Sequence, residues 1–106
     1  MEITGHPMHV ISRRILKEAA RLYCGVEPGL ETWFRVASKA LWRSFDDVRK
    51  TYPGADVIKA GQRVYTVFNI GGNNFRLIVK IEYTYQEIFI KHVLTHAEYD
   101  RDYWKK

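Results

Sequence analysis

Apolar positions divide this chain into two halves with different periods. Between Ser12 and Leu41 they recur three and four residues apart, first as Ile15, Leu16, Ala19, Leu22 and Tyr23, then as Leu30, Trp33, Phe34, Ala37, Ala40 and Leu41. That spacing puts each set on one face of a helix. The break between the two falls at Cys24 to Gly29, which holds two glycines and Pro28. Ser12 stands where the first helix needs an N-cap. A short third helical turn is predicted from Ser44-Phe45-Asp46-Asp47, with acidic residues at its positive end, closing at Tyr52-Pro53-Gly54. Met8 to Ile11 forms a short apolar edge ahead of all three.

From Asp56 onward the period is two. Val64, Thr66, Phe68 and Ile70 alternate with Arg63, Tyr65, Val67 and Asn69, and Phe75, Leu77, Val79, Ile81 and Tyr83 alternate with Arg76, Ile78, Lys80 and Glu82. Two antiparallel strands are predicted, joined at Gly71 to Asn74, where glycine and asparagine tolerate positive φ. Setting Phe68 opposite Leu77 and Val64 opposite Ile81 also sets Arg63 opposite Glu82, whereas a two-residue slip brings Arg63 against Lys80. Charge and apolar pattern therefore select one register. In it, one face is apolar and takes the helices, while the other carries Tyr65, Asn69, Arg76 and Lys80.

A further strand, Glu87 to Leu94, follows the turn at Thr84 to Gln86. Paired back on its predecessor, it brings Arg76 opposite Val93 or Thr95, the register being open, and His96 beside Arg76 in either case. Simple parity puts His92 on a face with Ile88, Ile90 and Leu94, a core or partly buried position. His92 and His96 are four apart, roughly 13 Å in a strand, which is not a metal-ligand spacing. No metal site and no cofactor is expected. Gly71-Gly72 lacks the strand-to-helix setting of a phosphate loop and reads as a hairpin turn.

The chain of 106 residues is long enough for one core, and its apolar fraction of 46% with 7 Tyr, 5 Phe and 3 Trp is that of a folded domain. No apolar run approaches a membrane span, so the reading is a soluble protein. The single Cys24 cannot form an internal disulfide, and no charged segment precedes an apolar one at the start. The reducing cytoplasm is the expected compartment. Residues 1–7 stand apart, Gly5-His6-Pro7 having the look of a vector-derived scar or an extended start, which leaves 8–106 as a single domain. The net charge of +5 and pI near 9.4 favour a polyanionic or acidic partner. The excess is spread evenly, nine basic against six acidic residues through Gly54 and eight against six after it. An anion site must then be built by the fold and not by a basic tail.

The phrases Val67-Phe68-Asn69-Ile70-Gly71-Gly72-Asn73-Asn74-Phe75-Arg76-Leu77 and Thr95-His96-Ala97-Glu98-Tyr99-Asp100 resemble the HigB family of bacterial toxins, within the wider RelE-like group of messenger-RNA endonucleases. The resemblance runs from Met8 to about Tyr103 and is strongest from Val67. It departs at Leu94, where a small residue is usual, and at Lys91-His92, which replaces a basic-aromatic pair. It implies an α+β, RelE-like fold, with two to three N-terminal helices packed on one face of a mostly antiparallel twisted sheet. It implies an endoribonuclease toxin of a type II toxin-antitoxin pair that cuts mRNA on the translating ribosome without a metal. It also implies a HigA-like helix-turn-helix antitoxin, with operator DNA met only through the antitoxin complex, and no membrane partner.

Cutting RNA without a metal requires a base to take the 2′-hydroxyl proton, cations to stabilise the phosphorane oxygens, and an acid to protonate the departing 5′-oxygen. Arg76 suits the cation role through its bidentate fork. His96 suits acid or base work, since an unperturbed imidazole titrates near neutrality. Tyr99 either stacks on a base, donates a proton, or anchors the last turn to the core. Asp100 and Asn69 are supporting candidates, Asp100 as an orienter of a basic side chain or as a helix-start charge. Lys59, Arg63, Tyr65, Lys80 and Lys91 are candidates for holding single-stranded RNA, cations interleaved with an aromatic ring. Arg13, Arg14, Lys17 and Arg21 read as an exposed helix face. A catalytically silent module that inhibits translation by occupying RNA or the ribosome fits the same small basic sheet.

Overall fold

The fold is that of a computed structural model, which describes residues 6–105. Of the segment read as a scar or extended start, residues 1–5 lie outside the described residues. In chain order the elements are β1 (His9–Ile11), α1 (Arg13–Leu22), α2 (Glu27–Lys39), α3 (Phe45–Thr51), β2 (Asp56–Ala60), β3 (Arg63–Ile70), β4 (Phe75–Glu82), β5 (Glu87–Thr95), α4 (His96–Asp100) and a terminal 3-10 turn (Tyr103–Lys105). The five strands form one sheet in the order β1-β5-β4-β3-β2, with β1 parallel to β5 and every other pair antiparallel. This is the α+β arrangement expected from the sequence. Among the described residues no helix is long and apolar enough to cross a membrane.

The helices cover one face of the sheet. Leu16 and Ala19 of α1, Leu30, Trp33 and Ala37 of α2 and Val48 of α3 share a core with Phe68, Ile70, Leu77, Val79, Ile88 and Ile90. Phe68 is its aromatic centre, with ring centroids of Trp33, Trp42 and Tyr52 at 5.4, 6.1 and 5.3 Å. Two residues of the helical pattern are not in it. Leu22 is 75% exposed because Tyr23, beyond the last turn of α1, takes the contact with Phe75 at 5.7 Å. Leu41 is exposed because α2 ends at Lys39 and the chain runs extended through Ala40, sending Trp42 inward.

The expected caps also differ. A single residue separates β1 from α1, so Ser12 adopts a left-handed conformation (φ 73°) and its side chain makes no capping bond. Ser44 makes none either. The Asp47 carboxylate instead reaches back to accept from the Arg43 backbone N–H at 3.0 Å.

The β3–β4 register has Phe68 opposite Leu77 and Asn69 opposite Arg76, as the pattern requires. The β4–β5 register does not follow simple parity. Ile78 pairs with His92 and Val79 with Ile90, which leaves Lys91 as an extra residue in a β-bulge. Past the bulge every side chain changes face. Val93 joins Ile88 and Ile90 in the helix-side core, while His92 and Leu94 turn to the opposite face, and Arg76 lies opposite Leu94, between the two alternatives left open by the sequence.

That opposite face is not purely polar. The 3-10 turn folds Trp104 against it, over Tyr65, Val67 and Ile78, forming a second small core edged by Ile58, Ala60, Leu94 and Tyr99.

The start of α2 approaches the end of β3 so closely that a Cβ on Gly29 would sit 2.7 Å from Ile70 Cγ2 and 3.3 Å from the Gly71 nitrogen. Gly29→Ala is therefore expected to destabilise the protein by about 1–3 kcal/mol, overriding the helix preference for alanine. Urea denaturation measures this; equal or higher stability in the variant would show that the contact yields at no cost.

Candidate active site

The β3–β4 turn sets the surroundings of Arg76. Its positive φ falls on Gly71 (64°) and Gly72 (68°), so Asn73 and Asn74 follow in ordinary conformations. Arg76, one residue into β4, is on the face away from the helices and is only 9% exposed. Its Nη1 donates to the backbone carbonyls of Asn73 and Phe75, both at 3.2 Å, and its Nη2 donates to Asn73 Oδ1 at 2.9 Å. Asn73 thus holds the end of the guanidinium. The Nε–H and the second Nη2–H, the side-on fork, have no acceptor among the described residues, and no carboxylate pairs with the charge. The guanidinium carbon lies 5.6 Å from the centre of the Tyr99 ring, a cation-π arrangement.

Helix α4 brings the second group. The Thr95 side chain accepts from the Glu98 N–H at 3.1 Å, and Glu98 Oε1 accepts from the Thr95 N–H at 2.9 Å, a complete capping box. The Tyr23 hydroxyl donates to the same Glu98 oxygen at 3.0 Å, tying α4 to the end of α1. The Thr95 backbone N–H, with the Tyr23 and Thr95 side chains adding to it, holds the Glu98 carboxyl below its ordinary range. His96, the first residue of α4, donates its backbone N–H to the Asn74 carbonyl at 3.0 Å. Arg76 and His96 are therefore anchored to adjacent residues of one turn.

His96 Nδ1 lies 2.9 Å from Asp100 Oδ2, one helical turn on, with both side chains about half exposed. In the tautomer where Nδ1 donates to Asp100, Nε2 is left as an acceptor. Burial, followed by the Asp56 charge, raises the Tyr99 phenol above its ordinary value, with Arg76 opposing, so the hydroxyl remains a proton donor.

The other candidates are dispersed. Tyr65 is 5% exposed beneath Trp104, ring centroids 5.6 Å apart at 75°, so its ring is covered and offers no stacking platform. Lys59 and Arg63 are exposed at the far end of β2 and β3, with Arg63 roughly 20 Å along the strand from Asn69. Lys80 is exposed on β4 and is 3.9 Å from Glu82. Lys91, the bulge residue, holds its ammonium 5.9 Å from the Phe89 ring. Asn69 is exposed and pairs across the hairpin with Arg76. The α1 cations belong to the helix side of the sheet, where Arg13 lies 4.2 Å over the Phe34 ring. Among the described residues no three His, Cys, Asp or Glu side chains converge closely enough to hold a metal ion.

Asn73, Glu98, Tyr23 and Trp104 were not singled out from the sequence. The spacing Thr95-x-x-Glu98 is a readable capping-box signal. Nothing in the sequence announces Asn73 or Tyr23 as partners.

Residues 26–102 match the HigB toxin family, described as the RelE-like toxic component of a toxin-antitoxin system. The chain is also similar to curated proteins. It is 34% identical over 94 residues to the mRNA interferase HigB of Escherichia coli O6:H1 strain CFT073, covering 89% of this chain and 90% of that protein. It is 31% identical over 93 residues to the mRNA interferase toxin HigB of Escherichia coli K12, covering 88% of each. The mRNA interferase HigB of Shigella flexneri matches to the same extent.

His92 shares the site face, with its ring 6.2 Å from Trp104, and burial together with the Lys91 charge lowers its pKa from the ordinary 6.5. A histidine kept neutral in the fold takes up its proton more readily when unfolded. Its stability contribution is therefore complete above 6.5 and is lost as pH falls through the lower folded value. Melting temperature should fall with acidification below 6.5 more steeply in the wild type than in His92→Gln. Parallel melting curves for the two proteins would contradict this.

Proposed function

The chain belongs to the HigB toxin family, and we propose that it is an endoribonuclease that cuts messenger RNA, on the translating ribosome and without a metal, and is held in check by a protein antitoxin. The observation that carries this reading is the open side-on fork of Arg76, a buried cation gripped from one edge by Asn73 and left without a carboxylate among the described residues on the other. That fork matches two oxygens of a phosphodiester.

The reaction follows from the neighbours. The ribose 2′-oxygen attacks the adjacent phosphorus and the bond from phosphorus to the 5′-oxygen breaks. This yields a 2′,3′-cyclic phosphate and a 5′-hydroxyl. The 2′-proton leaves to a base and a proton is delivered to the 5′-oxygen, so charge balances within the step. His96, its Nδ1 side oriented by Asp100, presents Nε2 for one of these transfers. Tyr99 stays protonated and can donate to a phosphorane oxygen or to the leaving group. Arg76 stabilises the charge that develops on the non-bridging oxygens. The exposed Lys80, Lys91 and Asn69 are the remaining candidates for backbone contacts on this reading.

Arg76→Ala should abolish growth arrest, removing phosphorane stabilisation worth a few kcal/mol. Because Arg76 also ties the turn, circular dichroism melts must accompany the assay. Arg76→Lys should rescue only in part, since a point charge lacks the fork. His96→Gln should slow cleavage on the order of a hundredfold or more and flatten its pH dependence. Undiminished toxicity of folded Arg76→Ala at equal expression would sink the assignment.

Primer extension on ribosome-bound message should find ends bearing a cyclic or 3′-phosphate, and a 2′-deoxy substitution at the cut site should block cleavage. Products with a 3′-hydroxyl would point to a different nuclease chemistry, and uncut message under inhibited translation would favour binding by occupancy.

A further inference from the structure

We infer that Trp104 is a positioning residue for Tyr99, clamping its phenol beside Arg76; the inference rests on the reading of Tyr99 as one of the reacting groups. Helix α4 has five residues, no buried residue of its own, and too few turns to be stable alone. Its orientation is therefore imposed from outside. At its start the capping box and Tyr23 do this through Glu98.

At its end the work falls to Trp104. The indole is 7% exposed and stacks on the Tyr99 ring, centroids 5.4 Å apart and planes at 15°, while its Nε1 donates to the Tyr99 carbonyl at 3.1 Å. One side chain thus grips both the ring and the backbone of the same residue. The indole in turn is wedged edge-on against Tyr65 at 5.6 Å and His92 at 6.2 Å, and rests on the sheet through Val67 and Ile78.

The chain is bent to make this contact. Asp102 takes a left-handed conformation (φ 65°), unusual outside glycine, and reverses the backbone. The Asp102 N–H donates to the Tyr99 carbonyl at 3.2 Å, the Lys105 N–H donates to the Asp102 carbonyl at 3.2 Å, and the Lys105 ammonium pairs with the Asp102 carboxylate at 3.2 Å. The bend is held from three directions, and its product is the indole on the phenol. A phenol free to rotate about its Cα–Cβ bond sweeps its hydroxyl through several ångströms, more than proton donation to a bound phosphate tolerates.

The rival account is a plain apolar plug over Ile78, and stacking separates the two. Trp104→Phe keeps an aromatic ring, whereas Trp104→Leu and Trp104→Met keep apolar volume without one. Single-turnover cleavage on ribosome complexes, at temperatures below each variant's melting transition, is the assay. Trp104→Phe should recover to within about threefold of the wild-type rate, while the Leu and Met variants should be slower on the order of ten- to a hundredfold at unchanged apparent KM. In a Tyr99→Phe background, which lacks the hydroxyl, Trp104→Leu should cause no further loss of rate. Equal rates for the aromatic and aliphatic variants, or the same loss in both backgrounds, would overturn the inference. Tyr99→Phe cleaving at the wild-type rate beside inactive Arg76→Ala would overturn the positioning role alone, whereas active Arg76→Ala would remove the nuclease reading itself.

Discussion

Arg76 and the first amide of α4 are both held by oxygen acceptors of one four-residue turn. The carbonyl and side-chain oxygens of Asn73 take the end of the Arg76 guanidinium, and the next carbonyl, that of Asn74, takes the first amide of α4. Burying a guanidinium without a counter-ion is costly, and neutral oxygen acceptors offset the desolvation without cancelling the charge. A carboxylate in the place of Asn73 would satisfy the cation more strongly and would also neutralise it. The choice of neutral acceptors keeps the positive charge in a partly dehydrated setting, where its attraction for an anion is least screened.

The second demand is rigidity in a helix too short to supply it. Thr95 and Glu98 satisfy each other's amides, Tyr23 brings α1 to the same carboxylate, and Trp104 closes the other end. These contacts come from widely separated parts of the chain. The orientation of His96 and Tyr99 therefore depends on the completed tertiary fold and not on helix propensity.

Much of this was legible in the sequence where two signals coincided. The β3–β4 register was fixed because apolar alternation and charge pairing demanded the same partners. The segmentation into helices and strands followed the change of period at Asp56. The β5 register was not legible, since Lys91 is a bulge residue with an ordinary composition around it, and a single insertion reverses the parity that put His92 in the helix-side core. Tyr65 looked like a free aromatic because nothing local tells that Trp104, almost forty residues on, lies over it. Ser12 looked like a cap because sequence does not reveal that the strand-to-helix connection is one residue long. Arg76 and His96 were brought together by strand arithmetic and given their roles by two family-like phrases, whereas their common anchor at Asn73 and Asn74 depends on three-dimensional closure.

The parallel pairing of β1 with β5 has a consequence for how the protein is exposed to its own kind. β5 is rich in apolar residues, and β1, three residues long, is its cover on one side, fastened through pairs from His9 with Glu87 to Ile11 with Phe89. The β1–β5 pairing joins residues far apart in sequence, whereas the β3–β4–β5 meander is built from neighbouring strands. Without β1, β5 would be an unprotected edge offering a row of free amides and carbonyls beside Ile88 and Ile90, a template for strand addition by another chain. Strand β1 thus serves as a guard against edge-to-edge aggregation, a task its three residues perform through backbone pairing alone.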